Sequence, residues 1–163
     1  MTDYLIRAAT PDDAEEISRL IDELAAYEEL SVESRPDPVA LRHQLDTNAR
    51  PGIEALLAVD TNSGRALGFA LYFWNYSTFL TQFGIYLEDL FVEPDFRGQG
   101  MGYALLKRLA QIAVERNCER LDWSVLDWNE LAMDFYTRLG ARTLNDWKTI
   151  RLDGAALRTL GSE

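Results

Sequence analysis

The sequence contains one cysteine, Cys118, and one histidine, His43. A single cysteine cannot close a disulfide within the chain, and this pair cannot supply the thiolate and imidazole ligands of a typical metal site. We therefore expect neither a disulfide framework nor a bound metal. Cys118 is expected to be a small buried hydrophobe, and His43 to lie on a helix surface.

Long apolar runs are also missing. A membrane-spanning helix needs about 20 consecutive apolar residues, and every apolar stretch in this chain is much shorter. The N-terminal Met1-Thr2-Asp3 lacks the basic-then-apolar pattern of a signal peptide. These absences predict a cytoplasmic protein that does not associate with membranes.

Positive charge is scarce. Lys and Arg total 16 against 27 Asp and Glu, so the formal net charge is -11. Binding to a phosphate backbone depends on clustered Lys and Arg, so nucleic acid is not expected as a partner. An acidic field can concentrate a cationic substrate, although the same charge also keeps a chain soluble.

The remaining composition is that of an ordinary globular protein, with 163 residues of which 47% are hydrophobic. That length predicts one domain spanning residues 1–163, with a core large enough to need no metal or disulfide. The hydrophobic periodicity predicts strands at Tyr4–Ala8, Glu54–Val59, Ala66–Trp74, Ile85–Val92 and Leu121–Val125. It predicts helices at Ala14–Ala25, Val39–Leu45, Tyr103–Arg116 and Glu130–Leu139, a loop at Asn75–Gly84 and a terminal hairpin at Thr143–Leu152.

Two acidic residues, Glu88 and Asp89, interrupt the middle of a strongly strand-forming segment. A buried carboxylate is costly unless it has a partner or a function. Because side chains alternate along a strand, Glu88 and Asp89 are expected to point to opposite faces. Glu88 is interpreted either as a functional carboxylate or as a structural hydrogen-bond acceptor.

A glycine-rich turn, Arg97-Gly98-Gln99-Gly100-Met101-Gly102, follows that strand and leads into a helix. Such a turn directs free backbone N–H groups and the positive end of a helix dipole at one spot, which suits a pyrophosphate. A simple turn at a helix start remains the alternative. A Walker P-loop would need a lysine after the glycines, and a dinucleotide-binding motif would not tolerate Glu93–Phe96 between strand and glycines.

These motifs together resemble the acetyl-CoA-binding core of the GNAT superfamily of N-acetyltransferases. That family's pattern, Gln/Arg-x-x-Gly-x-Gly/Ala after a strand, is filled here by Arg97, Gly100 and Gly102. The segments 125–129 and 134–141 resemble the family's next two elements. The resemblance implies a mixed, mostly antiparallel α/β (α+β) sheet with helices on both faces and a splay between the two central parallel strands, where acetyl-CoA lies.

Within the superfamily, Tyr-Leu-Glu-Asp before the core and Leu-Asp-Trp-Asn after it are most similar to the spermidine/spermine N-acetyltransferase group, especially its thialysine N-acetyltransferase branch. The resemblance implies a homodimer that acetylates a primary amine of a small molecule. Ser77 and Phe79 replace an Asp and a Trp of the polyamine enzymes, and the turn before a late Trp is shortened to Asn145-Asp146-Trp147. A lysine-like amino acid is therefore favoured over a polyamine.

The resemblance also implies roles for individual residues. Tyr136 would be the general acid that protonates the departing thiolate, and Glu88 the base or water-mediated proton acceptor for the amine. The expected substrate contacts are Tyr27, Glu28, Glu88 and Asp89. The expected acetyl-CoA contacts are Leu90, Phe91, Val92, Arg97, Gly98, Gln99, Gly100, Met101, Gly102, Tyr103, Asn129 and Ala132.

Two other functions stay open at this point. Acetylation of a protein lysine or N-terminus would require an open peptide groove in place of an acidic pocket. A non-catalytic acyl-CoA-binding regulator would tolerate the loss of Glu88 and Tyr136.

Overall fold

The computed structural model describes residues 2–29 and 35–162. Its residue contacts divide the chain into two compact units, Met1–Ser124 and Val125–Glu163. The sheet and the glycine turn belong to the first unit, and the segment from Val125 onward forms the second. None of the described helices has the length and apolar character needed to cross a membrane.

A five-stranded sheet in the order β1-β2-β3-β4-β5 forms the first unit. Its strands are β1 (Tyr4–Ala8), β2 (Glu54–Asp60), β3 (Ala66–Ser77), β4 (Gln82–Val92) and β5 (Leu121–Trp123). The first four pair antiparallel, whereas β4 and β5 pair parallel. A helix connects β4 to β5, as a parallel crossover requires. The predicted mixed, mostly antiparallel sheet is confirmed.

Helices cover both faces of this sheet. The first unit contains α1 (Ala14–Tyr27), α2 (Pro38–Gln44) and α3 (Met101–Glu115). On one face, α1 and α2 enclose a core with Leu57, Phe69, Leu71 and Phe91. The alternating strand residues that lie outside that core are also buried, as are the apolar residues of α3, so α3 packs on the opposite face.

The β4–β5 pairing is short. It joins Ile85 to Leu121, Tyr86 to Asp122 and Leu87 to Trp123. Beyond Leu87, β4 continues to Val92 and stays paired with β3 alone among the described strands. One edge of residues 88–92 is therefore left without a strand partner, as the predicted splay requires.

A β-bulge lies where the pairing with β5 ends. Leu71 pairs with Asp89 and Tyr72 pairs with Leu87, so Glu88 is an additional residue without an opposite partner. A bulge interrupts the regular alternation of side chains. The two-residue period alone therefore does not fix the directions of Glu88 and Asp89 here, and their placement on opposite faces stays a prediction.

The loop predicted at Asn75–Gly84 is mostly strand. β3 extends to Ser77 and β4 begins at Gln82, so only four residues, 78–81, connect them. Tyr76 and Phe83 face each other with ring centroids 5.2 Å apart, and the buried Ser77 hydroxyl accepts from the Leu80 N–H. The Tyr76–Phe83 contact joins the two strands and lengthens the β3–β4 hairpin beyond its most apolar residues.

The second unit contains α4 (Glu130–Arg138) and α5 (Gly154–Leu160). The predicted helix Glu130–Leu139 is confirmed within one residue, but the predicted hairpin at Thr143–Leu152 is wrong. Those ten residues contain no strand and are exposed throughout. Without a buried face, a short hairpin there would gain too little to offset its ordering.

Candidate active site

The glycine turn forms a cradle of backbone N–H groups. Gly98 and Gly100 adopt positive φ angles of 74° and 86°, and Gly100 is the N-cap of α3. Within residues 2–29 and 35–162, no acceptor is found for the N–H groups of residues 98–103. Hydrogen bonding resumes at Ala104, whose N–H donates to the Gly100 carbonyl over 2.9 Å. Six consecutive donors at a helix N-terminus fit an anionic group such as a pyrophosphate.

The glycines are needed for different reasons. At Gly98 and Gly100 the backbone is left-handed, a conformation that other residues adopt only with strain. Gly102 has an ordinary φ, and a Cβ there would meet Val92 only at 4.0 Å. No contact with the described part of the chain therefore requires glycine at position 102, which is consistent with close approach by an external ligand.

Side chains of the turn are mostly engaged within the protein. The Gln99 side-chain oxygen accepts from the Thr2 N–H over 2.7 Å, and Met101 is buried in the core. Tyr103 is about half exposed. Any contact of Gln99 or Met101 with a phosphate would therefore be made through the backbone.

Contacts with Val92, Tyr27 and Phe91 hold the Arg97 side chain against the protein. Its Nε donates to the Val92 carbonyl over 2.9 Å, and its guanidinium carbon lies 4.1 Å from the Tyr27 ring centroid. The same guanidinium lies 5.5 Å from the Phe91 ring centroid. Arg97 thus connects the glycine turn to the end of α1, where Tyr27 and Glu28 lie.

The unpaired edge of β4 adjoins this turn. Leu90, Phe91 and Val92 pair with Ala70, Phe69 and Gly68 on β3. Phe91 and Val92 are buried and Leu90 is half-buried. A ligand at the open edge would therefore contact mainly the backbone of this segment. Outward-facing peptide groups on such an edge can hold an extended ligand as an added strand would be held.

Three carboxyl groups meet near the bulge. Asp89 lies opposite Leu71, which places it on the face covered by α1. Desolvation by burial raises the pKa of Asp89 to about 6, and the charges of Glu88 and Glu28 add to this effect. Burial also raises the pKa of Glu28. Glu88 itself is exposed. The charges of Glu88 and Glu28 both act on Asp89, so a cationic group that enters among the three carboxylates is favoured.

Tyr27, next to Glu28 at the end of α1, contacts both β4 and the residue that begins the glycine turn. Its ring centroid is 6.4 Å from that of Phe91. Together with the Arg97 contact, this places the predicted substrate residues of α1 beside the predicted cofactor residues of β4. The stacking of Arg97 on Tyr27 has no signature in the sequence, because the residues are far apart along the chain.

Three predicted site residues belong to the second unit. The Asn129 side-chain oxygen caps α4 by accepting from the Ala132 N–H over 3.2 Å. Tyr136 is half-buried, with its ring centroid 5.3 Å from that of Phe135. The cap accounts for Asn129 and Ala132 locally, and their predicted contacts with acetyl-CoA remain predictions, as does the role of Tyr136.

Comparisons with known proteins identify the family of the chain. A family model described as the acetyltransferase (GNAT) family matches residues 17–141. The thialysine N-epsilon-acetyltransferase of Sus scrofa is 37% identical, with 100% of both chains covered. The L-ornithine N5-acetyltransferase of Arabidopsis thaliana is 30% identical over 95% of this chain and 86% of that protein.

The fold has close counterparts among solved structures. An integron cassette protein from the mobile metagenome of V. cholerae superposes with a TM-score of 0.81 at 28% identity, covering 100% of this chain and 99% of that one. The family match spans the carboxylates, the β4 edge and the glycine turn. The chain therefore belongs to the acetyltransferase (GNAT) family and is an N-acetyltransferase.

Proposed function

We propose that the chain transfers an acetyl group from acetyl-CoA to a primary amine of a small molecule, with a lysine-like amino acid such as thialysine favoured over a polyamine. The observation that carries this proposal is the group of carboxylates Glu28, Glu88 and Asp89 beside the unpaired edge of β4. Full-length similarity to thialysine and L-ornithine acetyltransferases supports the choice of substrate class.

Acetyl-CoA would be held mainly by backbone groups. The N–H cradle of residues 98–103 suits its pyrophosphate, and the open edge of Leu90–Val92 suits its pantetheine arm. Bound acetyl-CoA would supply an acetyl thioester for attack by the amine. A backbone N–H of the Leu90–Val92 edge would polarise the thioester carbonyl, and no metal is required for this chemistry.

The carboxylates would bind the amine as its ammonium ion and then remove a proton. A lysine-like amine has a pKa near 10, so about one molecule in a thousand is neutral at pH 7. Glu88 is the proposed acceptor of that proton, directly or through water. Asp89, with its pKa raised to about 6, lies closer to the amine's range than an ordinary carboxyl and can share this role.

The departing thiolate needs a proton, and Tyr136 is the proposed donor. A phenol with a pKa near 10 can protonate a thiolate whose thiol has a pKa near 8.5 with little cost. This assignment and that of Asn129 and Ala132 to the cofactor arm rest on the sequence pattern of the family. Tyr136→Phe, which keeps the ring and removes the hydroxyl, tests the assignment.

The family pattern also supports three proposals about the state of the protein. We propose that residues 1–163 act as one catalytic domain, that two copies form a homodimer, and that the enzyme works in the cytoplasm. Sedimentation of the purified chain would test the dimer directly.

An amine panel tests the substrate class. Free CoA release should be fastest with thialysine, lysine, ornithine or a polyamine, and a peptide with a lysine and a free N-terminus should react more slowly. Acetylation of the peptide with no reaction of the small amines would favour a protein substrate. Acetyl-CoA binding with no acceptor at all, unchanged by loss of Glu88, would favour a regulator.

A further inference from the structure

Glu93 follows the last residue of β4 and precedes the glycine turn. Its side chain is only 9% exposed. Neither the proposed chemistry nor the family pattern assigns it a role. A buried carboxylate is costly unless its charge is compensated, so its surroundings bear on how the turn is held.

Two arginines compensate Glu93. Arg65, in the connection between β2 and β3, donates to both carboxylate oxygens, with NH1–Oε2 and NH2–Oε1 distances of 2.8 and 2.6 Å. Arg19, on α1, donates from NH1 to Oε1 over 2.7 Å. Paired contacts of this kind fix the position of a carboxylate as well as neutralising it.

Arg19 is itself firmly placed. It forms ion pairs with Glu16 and Glu23 on its own helix and donates to the Ala66 carbonyl over 2.6 Å. The Glu16 carboxylate also accepts from the Ala66 N–H. The Glu93 side chain is thereby tied to α1 and to the start of β3 together.

The backbone of Glu93 is bound on both sides as well. Its N–H donates to the Leu67 carbonyl over 3.0 Å, and its carbonyl accepts from the Phe96 N–H over 2.9 Å. Next along the chain, the Arg97 Nε donates to the Val92 carbonyl. The direction in which the chain leaves β4 and enters the cradle is therefore set at Glu93.

We propose that Glu93 is a positioning residue for acetyl-CoA binding: its ion pairs with Arg19 and Arg65 hold the turn 97–102 in the conformation that presents the N–H groups of residues 98–103. This inference rests on the proposed function for the identity of the ligand. It is independent of that function for the conformation of the turn.

Electrostatics and positioning predict opposite changes in acetyl-CoA affinity when Glu93 is neutralised. A negative charge near an anion site weakens anion binding, so neutralising Glu93 would tighten acetyl-CoA binding if charge were all that mattered. If position matters more, neutralising it weakens binding. Asp95 is a matched control, because it lies between Glu93 and the glycine turn, is exposed, and has no side-chain hydrogen bond or ion pair among the described residues.

Calorimetric titration with acetyl-CoA gives the first readout, on the wild type, Glu93→Gln and Asp95→Asn. Glu93→Gln should raise the Kd about 10- to 100-fold, as expected when a binding group is displaced by about an ångström. Asp95→Asn should leave the Kd unchanged or slightly lower it. An equal or tighter Kd for a folded Glu93→Gln protein would overturn the inference.

Amide hydrogen exchange in the ligand-free protein gives the second readout. Glu93→Gln should speed exchange at Phe96, Arg97 and Ala104, whose N–H groups are bonded within the turn, and leave the β1–β2 ladder unchanged. If Glu93→Gln fails to fold, Arg65→Gln, which removes one partner only, should show the same changes with a Kd rise of about threefold. Unchanged exchange at those amides in a folded variant would contradict the inference.

The two readouts separate this inference from the proposed function. A wild-type protein that does not bind acetyl-CoA would overturn the proposed function, and the exchange measurement would still decide whether Glu93 holds the turn. Normal wild-type binding with no effect of Glu93→Gln would overturn only the inference.

Discussion

Asp89 on β4 and Glu93 just after it are four residues apart, yet their carboxyl groups have opposite surroundings. Two arginines neutralise Glu93, which precedes the glycine turn along the chain. No arginine or lysine in residues 2–29 and 35–162 pairs with Asp89, and burial, together with the charges of Glu88 and Glu28, raises the pKa of Asp89. One short segment thus separates an end that suits an anion from an end that suits a cation.

That difference matches the two ligands of an N-acetyltransferase. Acetyl-CoA carries phosphates, and the amine arrives as an ammonium ion. A carboxylate left unpaired beside the cradle would repel the first, whereas carboxylates left unpaired at the bulge attract the second. The charge of -11 is therefore less informative than the arrangement of a few acidic residues along β4.

The largest effect is expected from placing a carboxylate in the glycine turn, where the anion is proposed to bind. Gly100→Asp adds a negative charge and a side chain at a position with φ of 86°. Acetyl-CoA affinity should fall by about 100-fold or more, because both strain and repulsion oppose binding. Calorimetry measures this, with circular dichroism to show that the fold is kept. Unchanged affinity would mean that the phosphates bind elsewhere.

The second effect concerns the cation end. Glu88→Gln removes the proposed proton acceptor without changing its size, so turnover should fall by about 10²- to 10⁴-fold. Part of the loss should return at higher pH, where more of the amine is already neutral. Rate measurements from pH 7 to 10 test this. A loss that does not depend on pH would assign Glu88 to binding only.

A smaller effect tests the environment of Asp89. Its folded-state pKa of about 6 lies above the reference value of 3.8, so ionisation opposes folding. The wild type should lose stability as the pH rises from about 4 through 6. Asp89→Asn should therefore be more stable by about 3 kcal/mol at pH 8, with the gain shrinking toward pH 4. Urea unfolding at both pH values checks this, and a pH-independent difference would contradict the pKa shift.

The sequence predicted much of this arrangement because its signals are local. The apolar alternation of β1 to β4 and the apolar face of α3 depend on neighbouring residues, and these elements lie at the predicted positions, with β3 and β4 extended into the predicted loop. The left-handed Gly98 and Gly100 belong to the predicted glycine-rich turn. The bulge at Glu88 could not be predicted in the same way. It depends on the register between β3 and β4, which is settled by packing on both faces.

The remaining differences also have tertiary causes. Glu93 reads as an ordinary residue before a proline, and only the fold brings Arg19 and Arg65 to it. Thr143–Leu152 contains residue types that favour strands, such as Trp147 and Ile150, but its exposure leaves a hairpin nothing to pack against. Contacts between distant residues decide both cases.

We propose that the carboxylates Glu28, Glu88 and Asp89 bind the amine and that the glycine turn binds acetyl-CoA. The Glu28→Gln variant tests this division of roles. Glu28 lies at the end of α1, and its charge reaches Asp89. In steady-state assays that vary both substrates, the variant should raise the KM for thialysine about tenfold and leave the KM for acetyl-CoA unchanged. An equal rise in both, or a rise for acetyl-CoA alone, would contradict the account.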